Sequence, residues 1–104
     1  MQNNFVWDDR LGISVPHLNK PWGTYDKASQ AAILLHWEKI RGTIPDRIGQ
    51  IEKHINEFQD QLSSEENFEI SCELNYKIAS LASVINDLWL WYRLNQNITS
   101  KIHG

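Results

Sequence analysis

His54 and Glu57 stand three residues apart, a spacing at which one helix could offer an imidazole and a carboxylate to the same ligand. The di-iron helix bundles place the glutamate before the histidine and do so on two helices. Here the order is reversed and occurs once, so both side chains read as solvated surface groups. His17, His36, His54 and His103 form no recognised metal pair. His36 sits inside the run AAILLHW, beside Trp37. Its ordinary role is a structural histidine bonded to a carbonyl or a carboxylate. Its sharper role, a haem or metal ligand, lacks partners. Cys72 has no histidine placed to activate it, and a helix interior does not lower a thiol pKa as an N-terminus does. It reads as a small apolar residue. Asp87 is the most informative ionisable group. It is the one formal charge in the block Ile78–Tyr92, IASLASVINDLWLWY, where an unpaired carboxylate is costly. If the second and third helices form an antiparallel hairpin with Leu62 near Asn67, position 87 falls near 42, so the expected partner is Arg41, with Arg47 next. The alternative is an acid that binds a ligand beneath the tryptophans.

Glu65-Glu66-Asn67-Phe68-Glu69 has the form EExxE, and Asn86-Asp87-Leu88-Trp89 follows downstream. In this the chain resembles the all-helical nucleotide pyrophosphohydrolases, of which the MazG family is one. They carry an EExxE pair and a later ExxD pair on separate helices, which together hold magnesium. The resemblance implies a magnesium-dependent nucleotide hydrolase with Glu65, Glu66, Glu69 and Asp87 as ligands. The position three before Asp87 is Val84. Both elements fall on one predicted helix, about 27 Å apart at 1.5 Å per residue. Magnesium ligand distances are about 2.1 Å, so a shared ion requires a second subunit. Without one, the cluster is a solvated first turn complementing the helix dipole.

The 104 residues are enough for one domain with a modest core. Thirteen acidic against 10 basic side chains argue against a nucleic-acid binder that works by neutralising phosphates. A single cysteine allows no internal disulfide and suits a reducing compartment. The first residues, MQNNFVWDDR, lack a secretory pattern, and no apolar run reaches the roughly 20 residues of a membrane span. Asn97-Ile98-Thr99 fits a glycosylation acceptor, to which a chain without a secretion signal gives no use. A cytoplasmic location is expected, with no cofactor and no metal.

The elements that position these residues follow from periodicity. Residues 1–23 contain Phe5, Trp7, Leu11, Ile13 and Val15 in alternation, and Pro16 and Pro21 forbid a helix. They read as an extended arm or a short hairpin, strapped over the helices, exchanged between subunits or docked elsewhere. Residues 24–41 form a first helix, capped by Thr24 or Asp26 and ended by a left-handed Gly42. Residues 44–62 form a second helix with Thr43 as cap. Its seam is Ile44, Ile48, Ile51, Ile55, Phe58 and Leu62. Residues 65–97 form a third, with Ser63 and Glu66 as a capping box and the seam Leu74, Ile78, Leu81, Ile85, Leu88 and Tyr92. Both seams step by four and three residues alternately, as an antiparallel hairpin demands.

The expected fold is all-α: an antiparallel helical hairpin with a long C-terminal helix, a shorter preceding helix and an extended N-terminal arm, a dimerised three-helix bundle in a single domain. The second helix covers the third only to about Ile85. Beyond it lie Leu88, Trp89, Leu90, Trp91 and Tyr92, which point all around the axis. With Trp37 on the first helix they form a surplus apolar surface. Trp37, Leu88, Trp89, Trp91 and Tyr92 are therefore the expected interface of a homodimer, or of a protein partner. The expected function is non-catalytic self-association or protein–protein interaction. The alternatives are the nucleotide hydrolase above and a small-molecule binder at the Trp-rich end.

Overall fold

The structure, a computed structural model, describes residues 4–94. It is mostly helical, with two long helices and a small two-stranded sheet at the N-terminal end. Strands β1 (Phe5–Asp8) and β2 (Ile13–Pro16) precede a 3-10 turn at Trp22–Thr24. Helices α1 (Lys27–Arg41), α2 (Ile44–Ser64) and α3 (Phe68–Arg93) follow. The molecule measures 60 × 24 × 21 Å, because α2 and α3 lie along each other for most of its length.

The arm is a folded antiparallel hairpin, in the register Phe5 with Pro16 through Asp8 with Ile13. Its tight end is closed by the Gly12 amide donating to the Asp8 carbonyl at 2.7 Å. The Asp8 carboxylate accepts from the Leu11 amide at 2.9 Å. Gly12 has φ +76°, a left-handed conformation that L side chains rarely adopt. A Cβ there would also meet the Arg47 guanidinium at 2.5 Å. That guanidinium is not free to retreat, since its Nε donates to the Leu11 carbonyl at 2.9 Å. Gly49, in the middle of α2, has open space around its Cα. The two glycines should therefore respond oppositely. Gly12→Ala is expected to lose about 1–3 kcal/mol to backbone strain and displaced Arg47. Gly49→Ala is expected to gain about 0.5–1 kcal/mol, because alanine loses less backbone entropy in a helix. Urea denaturation of both variants checks the pair.

Helix α1 starts where expected. The Asp26 carboxylate accepts from the Ser29 amide at 3.0 Å, while the Thr24 hydroxyl turns back to the Pro21 carbonyl. Hydrogen bonds from Ser29 hold the Asp26 carboxyl below its ordinary pKa. Three other helix ends differ from expectation. Gly42 is right-handed helical (φ −63°) rather than left-handed. The Thr43 hydroxyl donates to the Ile40 carbonyl at 2.7 Å instead of capping α2. Both follow from the chain bending directly from one helix into the next, with the Arg47 amide already donating to Thr43. The third is the start of α3. Ser63 is still inside α2, its hydroxyl on the Asp60 carbonyl, and Asn67 caps α3 by accepting from the Ile70 amide at 3.1 Å. The expected end of the long helix at 97 lies outside the described residues.

The core sits at one end of the hairpin. Leu11, Ile13, Trp37, Ile44, Ile48, Ile51, Val84 and Leu88 form one buried cluster. Thus the N-terminal strands and α1 both cover the hairpin end where α3 outruns α2. The backbone of α1 packs against β2. Further along, among the described residues, α2 and α3 pack on each other. The Lys77 ammonium lies 5.4 Å from the centre of the Phe58 ring, its stem covering that half-buried aromatic.

Candidate functional site

The expected ion pair is not the one that forms. Asp87 Oδ2 accepts from Arg10 Nη1 at 2.7 Å, and Arg10 Nη2 donates to the Ser83 hydroxyl at 2.9 Å. Arg10 lies in the turn of the β-hairpin, 77 residues away in the chain. Its side chain is 48% exposed and that of Asp87 38%, so the pair is a surface one, worth about 0–1 kcal/mol. Asp87 escapes the apolar block because it lies on the outward side of α3. Arg41 is engaged elsewhere. It bonds Glu38 at 2.7 Å and lies 4.7 Å from the Tyr92 ring centre. The Glu38 hydrogen bond raises the Arg41 pKa further, so this guanidinium stays charged. Arg10 carried no sequence signal. Only the folding of the arm onto α3 makes it the partner.

The residues expected to form an interface divide into two kinds. Trp37 and Leu88 are fully buried, so they belong to the core and have no surface to offer. Trp91 is half-buried, its ring edge-on to Trp37 at 5.6 Å, and walls that core. Tyr92 is half-buried between Trp89, 5.4 Å away edge-on, and Arg41. Of the five, only Trp89 is exposed, at 39%. Its neighbour Leu90 is more exposed, at 54%.

The larger exposed apolar surface lies on the outward side of the same helix. Phe68 is 79% exposed and Tyr76 74%. With Cys72, Ala79, Ser83 and Leu90 they make a second line along α3, every member classed as exposed. The spacing averages about 3.6–3.7 residues, the pitch of a straight helix, so the line runs parallel to the axis. It lies on the face opposite Leu74, Val84 and Leu88, and no charged residue interrupts it between Phe68 and Ser83. Small residues, Ala79 and Ser83, occupy its middle, with Ala82 beside them. The large ones at its ends were not legible in the sequence, because burial of the inner seam alone decides which of two apolar lines faces out.

Two grooves lie nearer the strands. One, of about 510 Å³, runs between β1 and α1 and is lined by Phe5, Leu35, His36 and Lys39. His36 packs edge-on against Phe5 there, ring centres 4.5 Å apart. The other, about 490 Å³, is bounded by Arg10, Asp87, Leu90 and Trp91. It runs into the outward line at Leu90.

The acidic motif does not gather. Glu65 is in the α2–α3 turn, where its carboxylate accepts the Asn67 amide at 3.0 Å. Glu66 and Glu69 are exposed at the start of α3, and Asp87 is held by Arg10. Among the described residues no three histidine, cysteine, aspartate or glutamate side chains come close enough to share a metal ion. His54 and Glu57 meet only each other, at 3.3 Å on the surface. His103 lies outside the described residues. Among the described residues, no helix is long and apolar enough to cross a membrane. Compared with known proteins, the chain matches no family model, no curated protein and no solved structure.

Proposed function

We propose that this is a non-catalytic protein that acts by self-association or protein–protein interaction, docking a helix of a second chain along the outward face of α3. One observation carries the reading: the exposed line headed by Phe68 and Tyr76, with small residues at its centre and no charged residue of α3 on it from Phe68 to Ser83, where Arg10 bonds. Large aromatic side chains left 74–79% exposed on a rigid helix are the composition of a binding surface. Small central residues let a second helix approach closely. Helix α2 along the length of α3, with the β-hairpin and α1 at the Val84–Leu88 end, supports this role by burying the inner side of α3 and so fixing which side faces out.

Cys72, on the line between Phe68 and Tyr76 and exposed, reports on occupancy. Its labelling by a small membrane-permeant maleimide in the native cells is expected to be several-fold slower than in the purified, denatured chain. The control is Gln59→Cys in a Cys72→Ser background, on the polar face of α2. Equal labelling at the two positions in cells would remove the proposal.

A further inference from the structure

We infer that the helix docked on this face is α3 of a second copy, running antiparallel, with a two-fold axis at Ala79. The inference rests on the docking face proposed above and names its occupant.

The face is self-complementary only in that direction. Phe68 lies eleven residues before Ala79 and Leu90 eleven after it. Cys72 and Asn86 are each seven away, and Tyr76 and Ala82 each three. About a two-fold axis at Ala79, Phe68 of one copy therefore stands level with Leu90 of the other. The Tyr76 ring stands level with the small Ala82 and Ser83. Large groups meet apolar or small ones along the whole line, as an isologous interface requires. A parallel pairing sets Phe68 on Phe68 and Tyr76 on Tyr76, large ring on large ring.

Charge decides in the same sense. The first turns of α3 and the turn before it carry Glu65, Glu66, Glu69 and Glu73. On α3 itself the exposed bases are Lys77, near the middle, and Arg93 at the other end, where Arg10 also lies, paired with Asp87 and bonded to Ser83. Antiparallel pairing puts Arg93 of one copy level with Glu65 and Glu66 of the other, and Arg10 level with Glu73. It also opposes the two helix dipoles. Parallel pairing would stack the acidic ends on each other, at a cost in repulsion.

Gentle oxidation of the purified protein at micromolar concentration tests the register. In the wild type the two Cys72 thiols would be about 21 Å apart along the paired helices, so no covalent dimer is expected. Asn86→Cys, at an exposed position, is expected to give one, with residue 72 of one chain joined to residue 86 of the other. Ala79→Cys in a Cys72→Ser background should cross-link through the two-fold axis itself. Adding Tyr76→Glu to either should cut the cross-linked yield at least about tenfold, with helicity unchanged by circular dichroism. A wild-type dimer joined through Cys72 on both chains would overturn the antiparallel register and leave the docking face standing. Slow Cys72 labelling in cells, with purified protein that stays at 12.2 kDa by light scattering, would overturn the second copy as occupant and indicate a different protein. Fast labelling in cells, with no cross-link in any variant, would overturn the face and its occupant together.

Discussion

Ile51→Asp is expected to be severely destabilised, largely unfolded at neutral pH. Ile51 is 2% exposed, in the cluster that joins α2 to Val84 and Leu88. A carboxylate there loses its water and gains no partner. Arg47, one turn away on α2, is already committed to the Leu11 carbonyl and lies near Gln50. A lone buried charge of this kind costs more than about 4 kcal/mol, a large part of the 5–15 kcal/mol that holds an ordinary domain together. The introduced carboxyl would have a raised pKa in the folded state, so the deficit should shrink as the pH falls and the group takes a proton. Glu52→Ala is the control. Glu52 is the next residue, exposed on the polar face, and its loss should change stability by about 0.5 kcal/mol or less. Far-UV circular dichroism and urea melts compare them. Similar midpoints for the two variants would mean that Ile51 does not face the core.

That contrast works because the α2 pattern is unambiguous. One apolar seam and one polar face leave a single way to bury the helix, and Ile44, Ile48 and Ile51 are buried as their spacing requires. Helix α3 is different. It carries two apolar lines on opposite sides, and periodicity treats them alike. Which one is inner depends on what else packs at the α1 end, and that is decided by residues far away in sequence. Val84, absent from the expected seam, is 5% exposed, while Leu90 is left outside.

Long-range placement explains the other differences too. Asp87 needed a base, and register along the hairpin offered Arg41. The base that reaches it comes instead from the β-turn, through a fold of the arm that no local pattern encodes. The arm itself was readable as alternating apolar residues with a turn at Asp8, Asp9 and Gly12. Its return onto α3 depends on Leu11 and Ile13, which are 3% and 4% exposed. Helix ends were the least legible elements. Ser63 and Asn67 are both good caps four residues apart, and the one that wins is set by where α2 stops.

Trp37→Ala should be the other severe substitution, and it reports on the joint between the arm, α1 and the hairpin. Trp37 is fully buried in the cluster with Leu11, Ile13 and Leu88, edge-on to Trp91. Removing the indole leaves a cavity where the arm, α1 and the helical hairpin meet. The expected loss is about 3–5 kcal/mol, or roughly 12–40 °C in a domain of this size. Trp37→Phe should lose much less. The indole Nε1 is buried with no hydrogen-bond acceptor among the described residues, so the smaller ring forfeits volume but no hydrogen bond. The edge-on contact with Trp91 can be kept by either ring. Calorimetry ranks the three proteins, and near-UV circular dichroism follows the Trp37–Trp91 pair. A Trp37→Ala variant that melts near the wild type would mean that α1 is not held to the hairpin through this residue. The β-hairpin and α1 would then not be what turns the Phe68–Tyr76 line of α3 outward.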